Sequence, residues 1–443
     1  MLLIYIPYIT KRIEYTMHYV FEERLGIQYK LINDKQEYIT ADNNFKIAYS
    51  NEYINAGIYF FAYNLLFEDD IKEAELYAGS YKNLTTLYTH DKPSALNFDI
   101  FSAVFYLLSR YEEYLNKPAD KHGNYIHSNS ILYKLDLLDT PVIEQWLELL
   151  KEVLLKIHPS LLLKNHKAKF ALTFDIDIAY AYRHKGFART TVGFLKRMIT
   201  LNFNEAKEQL FTLFNKRQDI FDTYNYIFSC IKNKKPVFFF DMGDHGEFDK
   251  NPSYKNRQFR QLIKSISAKA VIGVHPSYAS NSKKKLMAFE KNKLEQITGK
   301  AITKSRQHYL KLKLPATYSN LINNNIHEDF TIGYAAMYGF RAGTCNSFLY
   351  FNLEDNSATN LRLYPFAYMD VTLNNYLNLS IDEAKKVVSK LIDHTVNHKG
   401  IFIPLWHNST LCNCNEWSGW REVFEHTLNE IDKNRLENLT GEN

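Results

Sequence analysis

Cysteine is scarce in this 443-residue chain, which holds only Cys230, Cys345, Cys412 and Cys414. Four thiols at these spacings build no disulfide framework and fit a reducing compartment, so a cytoplasmic location is expected. Long apolar runs are missing too. None reaches the ~18 residues needed to cross a bilayer, which excludes a membrane-spanning helix. The opening MLLIYIPYITKR has no basic residue ahead of its apolar run and no small-residue cleavage site, so it reads as a buried first strand rather than a signal peptide. There is no G-x-S-x-G elbow and no phosphate-cradling glycine-rich loop, which argues against a serine hydrolase and against a nucleotide enzyme. Repeats and low-complexity blocks are also lacking.

Charge is nearly balanced, with 54 Lys and Arg against 49 Asp and Glu and a net +5. Runs such as KNKK (232–235) and KKK (283–285) read as solvated faces, and no nucleic-acid partner is expected. Aromatics are plentiful, with 32 Tyr and 30 Phe. Sugar sites favour aromatic walls, but packed cores use the same residues, and the core is the simpler reading.

A chain of this length exceeds what one core usually supports, so two domains are expected. Residues 1–165 form the first, a smaller mixed α/β domain with helical apolar spacing at 98–115 and 140–157. The acids of FDIF and RYEEY in this region read as helix-surface or interface residues. From 166 to 443 the pattern changes. Short apolar runs each end in polar, chemically capable residues: KFALTFDID (169–177), VFFFDMGDH (237–245), AVIGVHPSY (270–278), TKSRQHY (303–309), YGFRAGT (338–344), RLYPFAYMD (362–370) and GIFIPLWHN (400–408). Helical spacing fills 254–267, 282–298 and 380–398. Strands alternating with helices imply parallel pairing through crossovers. The expected fold is therefore α/β, a distorted (β/α) barrel of about seven strands, although periodicity leaves an open doubly wound sheet possible.

The apolar run 169–177 carries two carboxylates, Asp175 and Asp177, which share one face of a strand. Desolvating them costs several kcal/mol unless a cation or donors compensate. The other strand ends supply Asp241, His245, His275, Arg306, His308, Arg341, Asp370 and His407. Converging Asp and His ask for a divalent cation, with zinc first and cobalt, nickel, iron or manganese as alternatives. A second grouping, His407 with Cys412 and Cys414, has only three ligands at an odd spacing and reads as free thiols.

These motifs resemble the polysaccharide deacetylases of carbohydrate esterase family 4, over about residues 168–410. The family's T-F-D-D-G is similar to Thr173-Phe174-Asp175-Ile176-Asp177. That likeness implies Asp175 as general base and Asp177 as metal ligand. The family's His-x-x-x-His follows a strand, as AVIGVHPSYAS does, which implies His275 as a ligand. Four positions on stands Ala279, so one ligand is missing. The third motif, an arginine after a helix ending in glycine, is similar to LEQITGKAITKSRQHYL and implies Arg306 beside the base. Strand order, not the family pattern, offers His308 as the third ligand, with a second aspartate or a water as alternatives. The final Leu-His motif is similar to GIFIPLWHN and implies His407 as general acid. Asp241, Arg341 and Asp370 are expected to bind substrate.

The resemblance implies a metal-dependent hydrolase removing acetyl from an N- or O-acetylated carbohydrate, on a distorted barrel. Two alternatives stand beside it. One is an inactive deacetylase-like barrel serving as a carbohydrate-binding or scaffold module, and the other is a metal-dependent amidase acting on a non-sugar C–N bond. Domains like the N-terminal one accompany some bacterial deacetylase-like chains.

Overall fold

The computed structural model describes residues 1–441 except Asp244 and Ser282. It divides into two compact units, each assembled from more than one stretch of chain. The first holds residues 1–118, 128–166 and 341–362, and the second holds 119–127, 167–340 and 363–443.

In the first unit, β1 (Leu2–Tyr5), β2 (Tyr29–Ile32), β3 (Lys46–Ser50) and β4 (Ile58–Phe61) form a parallel sheet in the order β2-β1-β3-β4. All four residues of β1 are buried, as the apolar LLIY predicts. The helix Ile100–Leu108 is buried along its whole length. Asp99 caps it, accepting from Phe101 N and Ser102 N, so this acid is a structural cap. The helical pattern predicted to 115 stops at Leu108, because Arg110 takes a left-handed backbone (φ 54°). The RYEEY acids turn inward from there. Arg110 Nε donates to Glu113 Oε1 at 2.8 Å, and Glu112 accepts from Ser130 Oγ at 2.8 Å. Arg341 completes this network, with Nη2 2.6 Å from Glu113 Oε2.

The second unit is built on parallel strands: β5 (Lys169–Phe170), β6 (Thr173–Ile176), β7 (Val237–Asp241), β8 (Val271–His275), β9 (Lys304–Ser305), β10 (Glu328–Asp329), β11 (Tyr368–Met369), β12 (Ile401–Phe402), β13 (Pro404–His407) and β14 (Glu437–Asn438). Within this unit the main sheet runs β10-β9-β8-β7-β6-β13-β11, and β12-β5-β14 form a small separate sheet. The helices Arg257–Ser267, Lys284–Thr298 and Ile381–Asn397 occupy the predicted helical stretches. Ser282, the first residue of one predicted stretch, lies outside the described residues.

Two departures have local causes. YGFRAGT (338–344) is not a strand, since Gly339 (φ 113°) and Gly343 (φ 66°) both break the extended backbone. The two-residue β10 was unforeseen because it has no apolar run. Closure is the larger departure. Among the described residues no strand ladder joins β11 to β10. The ends approach all the same. Phe366 N, just before β11, donates to Ile332 O, just after β10, at 3.0 Å. Phe239, Phe330, Phe366, Met369 and Leu405 meet in one buried cluster on the inner face. The result is a strongly curled, mostly parallel sheet with seven strands in this unit, and no closed barrel ladder is present among the described residues.

Candidate metal and active site

Parallel register sets the strand ends level with one another. Asp175 on β6 stands opposite His407 on β13, and Asp241 on β7 stands opposite His275 on β8. Asp177 lies one residue beyond β6, on the same face as Asp175. Arg306 and His308 follow β9 directly.

Arg306 is fully buried and held through two of its three guanidinium nitrogens, while Nη2 has no hydrogen-bond partner among the described residues. Its Nε donates to Phe330 O (3.0 Å), and its Nη1 donates to Thr173 Oγ1 (2.9 Å) and Asp175 Oδ1 (3.0 Å). The plane also sits 4.7 Å from the Phe239 ring centre. A charge this deep needs its partner, and Asp175, 2% exposed, is that partner. Its second oxygen, Oδ2, faces His275 Nε2 at 3.9 Å.

Three imidazoles converge on Asp177. His275 Nε2 is 3.1 Å from Oδ1, and the Nε2 atoms of His308 and His407 are each 3.6 Å from Oδ2. Each ring is anchored from behind through Nδ1. His275 Nδ1–H donates to Arg306 O (2.6 Å), His308 Nδ1–H to Asp249 Oδ1 (2.9 Å) and His407 Nδ1–H to Asp370 Oδ1 (2.8 Å). That arrangement leaves Nε2 of every ring aimed into the site.

The electrostatics agree. Burial raises the Asp177 pKa, but the facing imidazole of His308 and the close approach of His275 outweigh it, holding the carboxyl well below its usual range. Burial lowers the His308 pKa, but Asp177 and Asp249 push it well above an ordinary imidazole. His407 is lowered by burial and lifted by Asp370, ending at about 9.

Asp177, His275 and His308 place potential ligand atoms within 4.8 Å of one another. This donor set fits a divalent cation. Asp177 Oδ1 is buried without a hydrogen-bond partner, although His275 Nε2 lies close by. A buried carboxylate oxygen without a partner, beside an imidazole nitrogen, fits a pair of ligand atoms for a common ion.

The three residues expected to bind substrate are placed elsewhere. Asp370 is fully buried behind His407, accepting from its backbone N and from Thr410 Oγ1. Asp241 is also fully buried, accepting from Gly243 N (2.7 Å), and burial pushes its pKa well above the carboxylate range. It groups with Asp249 and His308 on the far side of the ring. Arg341 belongs to the first unit and is paired with Glu113 through Nε and Nη2. Position at a strand end showed their level along the sheet but not whether they faced the cavity. His245 is exposed, with Nδ1 on Gly246 O. Cys412 Sγ contacts Cys414 O at 3.7 Å, and neither thiol joins a ligand group among the described residues.

The cavity beside the cluster has a volume of about 240 Å³. Asp175, Asp177, His275, His308 and His407 form its floor. Phe248, Tyr309, Met369, Val371 and Tyr376 wall it, and Asp120, His122 and Asn124 line it from the stretch 119–127. That stretch is tied in place by Asn124, which accepts from Leu312 N (2.9 Å) and donates to Tyr309 O (3.2 Å). The loop 241–252, which carries Asp249 and Phe248, reads from sequence as either a sugar-site lining or a polar turn, without marking Asp249 itself. Asp249 lies in the acid-rich loop 241–252, where nothing separates it from its neighbours in sequence.

Comparison with solved structures finds folds similar to that of this chain. A Mycobacterium smegmatis protein assigned as a polysaccharide deacetylase is 13% identical, covering 64% of this chain and 96% of its own, with a TM-score of 0.39. A Bacillus cereus polysaccharide deacetylase is 12% identical, covering 61% and 90%, with a TM-score of 0.29. A family 4 pseudoenzyme from Bacillus anthracis is 10% identical, covering 62% and 64%, with a TM-score of 0.28. No curated protein sequence matches the chain. Residues 2–159 match the model of a family described as "Family of unknown function (DUF7033)".

Proposed function

We propose that the second unit is a divalent-metal-dependent hydrolase that removes acetyl groups from an N- or O-acetylated carbohydrate. One observation carries the reading. Three imidazole Nε2 atoms, each fixed by an Nδ1 hydrogen bond, surround a carboxylate whose inner oxygen lacks a partner. Asp177, His275 and His308 would hold the cation, which supplies Lewis acidity for polarising the acetyl carbonyl and acidifying water.

The chain's own residues account for the proton traffic. Asp175 keeps Oδ1 on Arg306 and leaves Oδ2 as the basic atom that takes the proton of the attacking water. Arg306 keeps that carboxylate oriented. His407, whose Nδ1 is held by Asp370, carries a proton on Nε2 to deliver to the departing amine or alcohol. The cavity pairs aromatic and apolar walls with a few polar groups, the composition of a site that seats a sugar ring and fixes its orientation.

Metal analysis of purified protein, paired with acetate release from a panel of acetylated sugars and small amides, tests the reading. Near-stoichiometric zinc, or another divalent metal, that is lost in Asp177→Ala and His308→Ala supports it, together with acetate released from a sugar. A protein that takes up no metal after supplementation and releases no acetate is an inactive scaffold. Hydrolysis confined to the small amides makes it a non-sugar amidase.

A further inference from the structure

Sixty residues of chain separate β6 from β7, far more than the dozen or so a parallel crossover needs. The helix Tyr224–Ile231 suffices for the crossover, burying Tyr224, Ile227 and Ile231. Ahead of it lie two further helices, Phe187–Ile199 and Phe203–Leu213, joined by a three-residue turn. Both are inside out. A globular helix buries its apolar stripe and exposes its polar face. In Phe187–Ile199 no residue is buried, and the outward stripe Val192, Leu195 and Ile199 is 66%, 52% and 81% exposed. The inward face is polar. Arg197 bonds Glu205 and Gln209, and Arg189 bonds the backbone carbonyls of Lys250 and Asn251. The second helix repeats the inversion. Gln209 and Thr212 are buried while Phe203, Leu210 and Phe214, just past its end, face water.

The segment that carries this apolar face is basic, although Arg189 and Arg197 point inward. From Arg183 to Arg217 there are eight Lys and Arg against two acids, Glu205 and Glu208, an excess of six positive charges where the whole chain has +5. Of these, Lys196, Lys207, Lys216 and Arg217 are exposed, with Arg217 paired to Glu208. Two such faces brought together would repel, which disfavours a second copy as the occupant. Nucleic acid would satisfy the charge but leave the phenylalanines and aliphatics in water. An anionic bilayer surface satisfies both, since apolar side chains enter the acyl boundary while lysine and arginine stems reach headgroup phosphates.

We infer that the hairpin 187–214 is an interfacial anchor that docks the second unit onto an anionic lipid surface without spanning it. Arg189 ties the hairpin to the segment that follows Asp249, which in turn holds His308 at the cavity. The inference stands independently of the hydrolase reading.

Flotation of the full-length protein with phosphatidylcholine vesicles, with and without phosphatidylglycerol, tests it. Binding is expected only with phosphatidylglycerol, and raised salt is expected to weaken it by about tenfold or more. The Leu195→Gln/Ile199→Gln/Phe214→Gln variant replaces exposed side chains, so its circular dichroism and metal content stay unchanged while vesicle binding falls by about tenfold or more. Absence of wild-type binding to anionic vesicles overturns the anchor, and so does equal binding by the variant. A concentration-dependent dimer that the variant abolishes, or binding to an oligonucleotide but not to vesicles, also overturns it by naming a different occupant.

Discussion

A histidine's chemistry is set by what holds its other nitrogen. His275 leans on a carbonyl, whereas His308 and His407 lean on carboxylates. The carboxylates raise the basicity of the rings they hold, and a metal ligand gains affinity from that. Asp249 is therefore central to the proposed metal site although it touches no substrate. Asp249→Ala is predicted to weaken zinc affinity by about 10–100-fold, read by competition against a chromophoric chelator. Asp249→Asn keeps the hydrogen bond and should retain most of the affinity. Equal affinities in both variants and wild type would show that Asp249 only fills space. At this scale the strand-end reading reached Asp175, Asp177, His275, Arg306, His308 and His407, which the fold brings together. It could not reach Asp249, 59 residues from the ring it holds, because no local pattern marks a partner across a loop.

Elements were legible where burial is periodic. The helix Lys284–Thr298 shows both the rule and its exception. Met287, Leu294 and Ile297 are buried as their spacing predicts, but so is Glu290, 1% exposed. Its carboxyl accepts from Ser277 N (3.0 Å) and Ser277 Oγ, fixing the loop after β8. Burial pushes its pKa up to about 7, against the two Ser277 hydrogen bonds. A carboxyl raised in the folded state stabilises fully below its unfolded pKa near 4.5, and that contribution is lost as pH rises toward 7. The Glu290→Gln variant lacks this loss. Its stability relative to wild type is predicted to rise by up to about 3 kcal/mol between pH 4.5 and 7, measured by urea unfolding at several pH values. A difference that stays flat with pH would refute the buried, proton-holding Glu290. The hairpin 187–214 is the opposite case. Its periodicity is strong, but the stripe faces water, so amphipathic spacing identified helices and not the side they bury.

At the scale of the whole molecule, the path of the chain decides the role of Arg341. Residues 341–362 return to the first unit, where Arg341 and Arg110 share Glu113 in a buried network. Removing one member of a buried ion network leaves charge uncompensated. Arg341→Met should therefore destabilise the first unit by about 3–5 kcal/mol, seen as an earlier thermal transition, while the folded variant still binds metal stoichiometrically. Loss of metal or of sugar affinity without destabilisation would restore Arg341 to the substrate site.

What was inherent in the order of amino acids is the alternation of strands and helices and the chemistry waiting at the strand ends. Backbone periodicity and the cost of burying a carboxylate are local, and they are written residue by residue. Depth, closure and partnership are not local. Whether Asp241 and Asp370 face the cavity, whether the curled sheet seals into a barrel, and which acid holds His308 depend on how distant segments pack. Only the tertiary structure decides these, because each is a choice among neighbours that the chain brings together after it folds.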